Sequence, residues 1–121
     1  MKYESQKVVD SGTTPGVQYT IVKMSFARRL DLMRKIRELA RSLEYLEAGD
    51  KPSDKMDAAV ARAEVDKLWV AWGLRAVSGL ELDGAAATPE SLAESGPQTL
   101  FQEALAAVRA EACLTLAERK N

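Results

Sequence analysis

The chain contains no histidine, and Cys113 is its single cysteine. Histidine is the usual general base at neutral pH and the commonest metal ligand, so its absence excludes Ser-His-Asp and Cys-His nucleophiles and histidine-containing zinc or iron sites. One cysteine likewise excludes an internal disulfide and a CxxC redox pair. Because no sequence pattern arranges the carboxylates and lysines into a substitute site, the sequence predicts a protein that is not an enzyme and holds neither metal nor cofactor.

Long apolar runs are also missing. No stretch of 18 apolar residues is present, and the polar start MKYESQKVVD lacks the apolar core of a signal peptide. Of the 121 residues, 46% are hydrophobic and 29% are charged, as in an ordinary folded domain. We therefore expect a cytoplasmic protein without a membrane partner, in which Cys113 is a reduced and buried thiol.

Neither sign of charge is in excess over the whole chain, but the charges are unevenly distributed. The formal net charge is −1, yet residues 23–41 carry seven basic and two acidic side chains, while residues 81–121 carry seven acidic and three basic ones. These two regions either neutralise each other within the fold or favour head-to-tail self-association. A nucleic-acid-binding stripe is the less favoured alternative, because it needs a coherent basic surface and groove-reading residues.

The beginning of the chain is predicted to be extended. Residues 1–16 read as a flexible arm, because residues 11–16 (SGTTPG) cluster turn formers, and residues 17–121 read as a single helical domain. Residues 17–24 (VQYTIVKM) alternate and are rich in β-branched side chains, as in a strand. Because a lone strand leaves its edges unpaired, it must pair with residues 7–9 or with another subunit, or not form at all.

Helical periodicity begins after Ser25, a good N-cap, and predicts a first helix over residues 26–47. Its apolar stripe comprises Phe26, Leu30, Met33, Ile36 and Ala40, widened by Leu32, Leu39, Leu43 and Leu46. A second helix is predicted over residues 54–78, with a buried line of Ala61, Val65, Leu68, Trp72 and Ala76. The short connection between these helices favours an antiparallel hairpin.

The remaining elements complete a mainly α fold. Thr88 and Pro89 predict the start of a short helix, and a further helix is expected over residues 97–113. Residues 115–118 (TLAE) have the capping-box pattern and indicate one more helix start that is cut short, as if the chain continued in a longer product. The predicted fold class is therefore mainly α: a helical hairpin plus C-terminal helices, with a short N-terminal strand or extended arm.

Four residues are candidates for protein interaction. Trp69 and Trp72 lie three apart on one face of the second helix, where core anchoring is the favoured interpretation and a partner groove the alternative. Arg28 and Arg29 lie in the first turn of the first helix and oppose its dipole. They are either solvated helix charges or contacts for an acidic partner.

Several stretches of the chain together resemble one family of proteins. They are residues 24–29 (MSFARR) with residues 43–49 (LEYLEAG), residues 72–84 (WGLRAVSGLELDG), and residues 96–97 (GP) leading to residues 116–121 (LAERKN). This pattern is similar to that of the small tail assembly chaperones encoded by tailed bacteriophages and prophages. The similarity spans most of the chain from about residue 24 onward.

The resemblance implies a non-enzymatic, mainly helical protein in the cytoplasm of an infected bacterium. Such a chaperone binds the tape measure protein, helps to recruit tail tube subunits, associates with itself and is typically absent from the finished virion. The family is often made in two lengths by frameshifting. Two other functions stay open: a different phage structural protein such as a head–tail connector, and a small nucleic-acid-binding regulator that uses the basic first helix.

Overall fold

The computed structural model describes residues 1–49 and 51–120, and of residues 38 and 113–120 it describes the backbone alone. The chain forms two compact units. Met1–Met24 and the chain from Val70 onward make the first, which we call the sheet unit, and Ser25–Trp69 make the second, the helix unit. Because residues of the sheet unit flank the helix unit on both sides, the helix unit is an insertion into the sheet unit.

In the sheet unit the strands precede the complete helices along the chain. In chain order, its complete elements are β1 (Gln6–Asp10), β2 (Gln18–Val22), β3 (Leu74–Ser78), β4 (Glu81–Leu82), β5 (Ala85–Ala86), α3 (Pro89–Ser95) and α4 (Gln98–Lys120). The helix unit contains α1 (Phe26–Glu47) and most of α2 (Pro52–Gly73), whose last four residues belong to the sheet unit.

The central strand of the main sheet is β2. Strand order is β1-β2-β3 with both pairs antiparallel, so that Tyr19 lies between Val9 of β1 and Val77 of β3. The prediction of a strand within residues 17–24 is confirmed, and residues 7–9 provide one of its partners. The other partner is β3, which the chain reaches only after the inserted helix unit.

The core of the sheet unit lies between β2 and α4. Val17, Tyr19 and Ile21 alternate along the chain, as inward-facing strand residues do, and all three are buried. Side chains at four-residue steps on α4 are buried as well: Leu100, Ala104, Val108 and Ala112. Two alanines in this line let the helix backbone come close to neighbouring elements, and the Tyr19 hydroxyl reaches the Leu100 carbonyl oxygen at 3.4 Å.

A mainly α fold was predicted, and this prediction is wrong: the fold is mixed α/β, with a three-stranded antiparallel sheet and a second, two-stranded one. The second helix ends at Gly73 instead of residue 78, and residues 74–78 form β3. Leu68, Trp72 and Ala76 suggested continuous helical periodicity, but Ala76 is exposed and pairs with Thr20. Pairing with β2 outweighs the local helical preference of this segment, as tertiary context often does.

Gly73, the last residue of α2, marks both a helix end and a close contact. A Cβ atom at this position would overlap the side chain of Val108 on α4. Only glycine lets the chain turn from α2 into β3 at this distance from α4.

The two ends of the chain also differ from expectation. Residues 6–10, inside the stretch predicted as a flexible arm, form β1. At the other end, α4 runs without interruption to Lys120, past the helix start predicted at residues 115–118. Cys113, predicted to be buried, lies outside the residues whose side chains are described.

Two smaller predictions are confirmed. The first helix spans Phe26–Glu47, and the Ser25 side chain accepts a hydrogen bond from the Arg28 backbone N–H at 3.3 Å. The short helix α3 begins after Thr88, whose side chain accepts from the Ser91 backbone. None of the described helices is long and apolar enough to cross a membrane.

Candidate protein-interaction site

The apolar stripe of α1 is divided between a covered and an open side. Leu32 is buried, and Ile36, Leu39, Leu43 and Leu46 are half-buried, which makes this line the inward one. Phe26, Leu30 and Met33, which the sequence placed on the main buried stripe, are 73%, 41% and 58% exposed. We call these three residues the apolar line.

Helix geometry puts the apolar line on a single face. Phe26, Leu30 and Met33 follow steps of four and three residues, so their side chains stack along the helix instead of winding around it. Isolated exposed apolar residues are common on proteins, but three in register on one helix form a continuous strip. A strip of this kind matches the spacing at which amphipathic helices contact one another.

Basic side chains border the apolar line. Arg34, Lys35, Arg37 and Arg41, which we call the basic rim, line one hollow on α1. Arg34 and Arg37 also line an adjoining hollow with Leu30, Met33, Ile36 and Ala40, so the apolar and basic surfaces are continuous. Lys35 lies 3.6 Å from Asp31, but both side chains are half exposed, so this ion pair stabilises little.

The first turn of α1 is also positively charged. Arg28 and Arg29 are half-buried, and the first turn contains no acidic residue. Nε and Nη2 of Arg29 are shielded from solvent without a hydrogen-bond partner among the described residues. Because the helix N-terminus is already the positive end of its dipole, this turn is an electropositive start to the helix.

The two tryptophans occupy different environments. Trp72 is 7% exposed and lies in the core of the sheet unit, the role that the sequence favoured for it. Trp69 is half-buried and belongs to the helix unit. The two tryptophans therefore differ in burial, and the exposed apolar residues of α1 are neither of them nor the candidate arginines.

A second polar arrangement, which the sequence did not reveal, is centred on Glu103 of α4. Its Oε1 accepts hydrogen bonds from the Ser11 hydroxyl at 2.5 Å and the Tyr19 hydroxyl at 2.8 Å. Its Oε2 accepts from the backbone N–H groups of Gly12 at 3.0 Å and Thr13 at 3.1 Å. The carboxylate thus ties the loop between β1 and β2 to α4. A carboxylate satisfied by four donors is a structural anchor and not a poised general base.

These hydrogen bonds shift the acidity of both partners. Burial, together with the hydrogen bond to Glu103 and the negative charge of its carboxylate, raises the pKa of Tyr19 to about 12. Partial burial works against ionisation of Glu103, but the hydrogen bonds from Ser11, Tyr19, Thr13 and Gly12 outweigh it and lower the pKa of the carboxyl group. No short sequence motif signals this cluster, because Glu103 is more than 80 residues from all of its partners.

We expect the Glu103 anchor to make stability depend on acid pH. Because the folded-state pKa of Glu103 is lowered, its contribution is complete above the ordinary value of 4.5 and is lost as pH falls below it. Glu103→Gln should lower the free energy of unfolding at pH 7 by about 1–2 kcal/mol, allowing for partial exposure of the side chain. It should also make the free energy of unfolding fall less steeply as pH drops below 4.5, the part of the stability curve that we call the acid limb. Urea titrations between pH 7 and pH 3 measure both effects.

Glu81→Gln, at an exposed position on β4, is the matched control and should leave the acid limb unchanged. An acid limb that is equally steep in wild type and Glu103→Gln would show that the anchor does not govern acid stability.

Among the described side chains, no group of three or more carboxylates or thiols is placed to hold a metal ion. Comparison with known proteins identifies no relative: no family model, no curated protein and no solved structure matches this chain.

Proposed function

We propose that this protein is a non-enzymatic assembly chaperone that binds an amphipathic helix of its partner through α1. The observation that carries the proposal is the exposed apolar line of Phe26, Leu30 and Met33 beside the basic rim. A helix that places its own apolar residues on this line would remove from water three large side chains that the described fold leaves solvated. Burial of such side chains is the main favourable term in helix association.

The charge of the basic rim narrows the choice of partner. A helix that docks along Phe26, Leu30 and Met33 would present its flanking positions to Arg34 and Arg37. Acidic residues at those positions would form ion pairs across the contact, as charged flanks do in coiled coils. The proposed occupant is therefore an amphipathic helix with an acidic border.

The resemblance to tail assembly chaperones supplies the identity of that helix. Under this proposal the partner is the tape measure protein of a tailed bacteriophage, a long helical protein, and tail tube subunits are recruited to the resulting complex. The protein would work in the cytoplasm of the host bacterium. An exposed apolar line supports this role, since a chaperone must offer apolar surface to a partner that has not yet assembled.

A nucleic-acid-binding regulator is the second candidate, and the basic rim is the observation that favours it. Four cationic side chains on one helix would contact phosphates, and such binding weakens steeply as salt rises. The apolar line argues against this function, because three exposed apolar residues beside the rim would be placed against a charged backbone. The helix-binding function accounts for both surfaces.

Reversing the polarity of the apolar line is expected to abolish capture of the partner. The double variant Leu30→Glu, Met33→Glu should weaken binding of the tape measure protein by about 30-fold or more, since central contact residues each contribute roughly 1–3 kcal/mol. Both side chains are exposed, so the free energy of unfolding should change by no more than about 0.5 kcal/mol per site. Co-expression and pull-down, followed by calorimetric titration, measure the effect.

Met56→Glu, Val60→Glu provides a matched control. These residues of α2 are also an exposed apolar pair, 72% and 53% accessible, in the same unit of the protein. The control should bind the tape measure protein as the wild type does. Equal binding by wild type and the Leu30, Met33 variant would contradict the proposal.

Comparing charge reversal at Arg34 and Arg37 with truncation of Leu30 and Met33 separates the two candidate functions. Arg34→Glu, Arg37→Glu should weaken capture of an acidic helix, whereas Leu30→Ala, Met33→Ala should leave phosphate contacts largely intact. Loss of DNA binding in the first variant with retention in the second would favour the regulator. Arg28 and Arg29 are less suitable for this test because they are half-buried.

A further inference from the structure

The outer edge of β1 carries backbone groups that no strand pairs with among the described residues. The Lys23 N–H donates to the Ser5 carbonyl at 2.8 Å, and the Ser11 N–H donates to the Val17 carbonyl at 2.8 Å. Hydrogen-bonded and non-hydrogen-bonded pairs alternate along an antiparallel ladder. Residues 5, 7, 9 and 11 therefore direct their backbone groups toward β2, and Gln6, Val8 and Asp10 direct theirs outward.

The side chains of Gln6, Val8 and Asp10 also share one face of the sheet. Lys7 lies on the other face, where its Nζ is 2.8 Å from Glu111 of α4, so alternation places residues 6, 8 and 10 on the face away from α4. Val8 is 60% exposed. Asp10 accepts a hydrogen bond from Gln18 through Oδ1 at 2.8 Å, which leaves its second oxygen to accept another.

We propose that β1 pairs antiparallel with β1 of a second copy of this chain, about a two-fold axis at Val8. In this register the outward backbone groups of Val8 face those of Val8 in the second copy, and those of Gln6 face those of Asp10. Each such pair exchanges two N–H···O bonds. The result is one continuous sheet in which the two β1 strands lie side by side at the centre.

The side chains of β1 complement themselves in this register. Valine meets valine at the centre, and at each end the amide of Gln6 lies opposite the carboxylate of Asp10, to which it can donate. On the α4 face Lys7 lies opposite Val9. The register therefore avoids placing like charges directly opposite each other, which would be destabilising. This self-complementarity identifies a second copy, and not an unrelated strand, as the occupant of the edge.

The contact is isologous and differs from the head-to-tail association favoured by the uneven charge. It buries little area compared with a stable interface of about 1,600 Å², so the dimer should be weak and depend on protein concentration. Main-chain hydrogen bonds and an apolar centre should make it nearly insensitive to salt. Sedimentation velocity over a wide range of concentration, at low and at high salt, measures its dissociation constant.

Val8→Pro tests the proposed β1–β1 contact without removing a hydrogen bond between β1 and β2. The Val8 N–H points outward, so proline at this position removes no β1–β2 bond, and proline is tolerated on edge strands. The dissociation constant of the dimer should rise at least about tenfold, because two hydrogen bonds at the two-fold axis are lost. Val8→Thr retains the N–H and a β-branched side chain and should dimerise like the wild type.

Disulfide cross-linking provides a second measurement, which reports the register of the two β1 strands and not the affinity of the dimer. In a Cys113→Ser background, Val8→Cys places the two thiols on the axis with Cα atoms about 5.5 Å apart, within disulfide range. Gln6→Cys is the control, since those Cα atoms would be four residues apart along the strand, roughly 13 Å. Oxidation should link Val8→Cys into dimers and leave Gln6→Cys monomeric.

Three results would overturn the proposal: a monomer at every concentration, a dimer unaffected by Val8→Pro, or equal cross-linking at positions 6 and 8. A dimer that dissociates in high salt and ignores Val8→Pro would favour the charge-driven contact instead. The Leu30→Glu, Met33→Glu variant should dimerise normally, so this inference stands or fails separately from the helix-binding function.

Discussion

Replacing Trp72 with alanine is expected to lower the free energy of unfolding by about 3–5 kcal/mol, which is a large part of the stability of a small domain. Trp72 is 7% exposed and lies near the end of α2, between the buried Val70 and Leu74. Because this large side chain is almost fully buried, its truncation to alanine leaves a cavity in the core of the sheet unit. The loss combines lost transfer free energy with the cost of that cavity.

Trp69→Ala is the matched control for this prediction. Trp69 belongs to the same helix but is half-buried, so a smaller loss is expected. Chemical denaturation followed by far-ultraviolet circular dichroism measures both variants. Equal losses for the two variants would show that their difference in burial does not control stability at this end of α2.

The sequence was most informative where local signals were sufficient. Ser25 provides a hydrogen-bonding cap and Phe26 begins helical periodicity, so the start of α1 follows from residues within a few positions. The alternation of residues 17–24 likewise predicted a strand, and the need to pair its edges pointed to residues 7–9. Each of these features depends on neighbours or on a short hairpin.

Local signals failed where distant segments decide the outcome. Residues 74–78 continue the apolar spacing of α2, and only β2, more than 50 residues earlier in the chain, makes them a strand. Glu103 of α4 is a second example, because no local pattern of residues marks it as a structural anchor. Its role depends on the Ser11–Thr13 loop 90 residues away, which no periodicity links to α4.

The division of α1 shows a second kind of failure. The apolar residues of α1 form a stripe wider than one packing surface. Helical periodicity therefore identified the stripe, but not which of its two sides is buried in the fold. The residues chosen as the main buried line include Phe26 and Met33, which are exposed, whereas Leu32, taken as peripheral, is buried. An apolar stripe wider than one packing surface is itself a sign that part of it is available to a partner.

The other large effect is expected at Tyr19, where a single side chain joins the core to the Glu103 anchor. Tyr19 is fully buried on the central strand, and its hydroxyl donates to Glu103. Tyr19→Ala should cost about 3–5 kcal/mol, as truncation of a buried aromatic ring does. Tyr19→Phe keeps the ring and loses only the hydroxyl, so about 1 kcal/mol is expected.

The same pair of variants predicts the behaviour in alkali. Because the pKa of Tyr19 is raised from 10.0 to about 12 in the folded protein, its contribution is complete below pH 10 and is lost as pH rises from 10 to 12. Wild type should therefore lose stability over this window relative to Tyr19→Phe, which has no phenolic proton to release at this position. Denaturant titrations of both proteins at pH 8, 10 and 11 measure the difference, and parallel curves would show that Tyr19 ionises equally easily in the folded and unfolded chains.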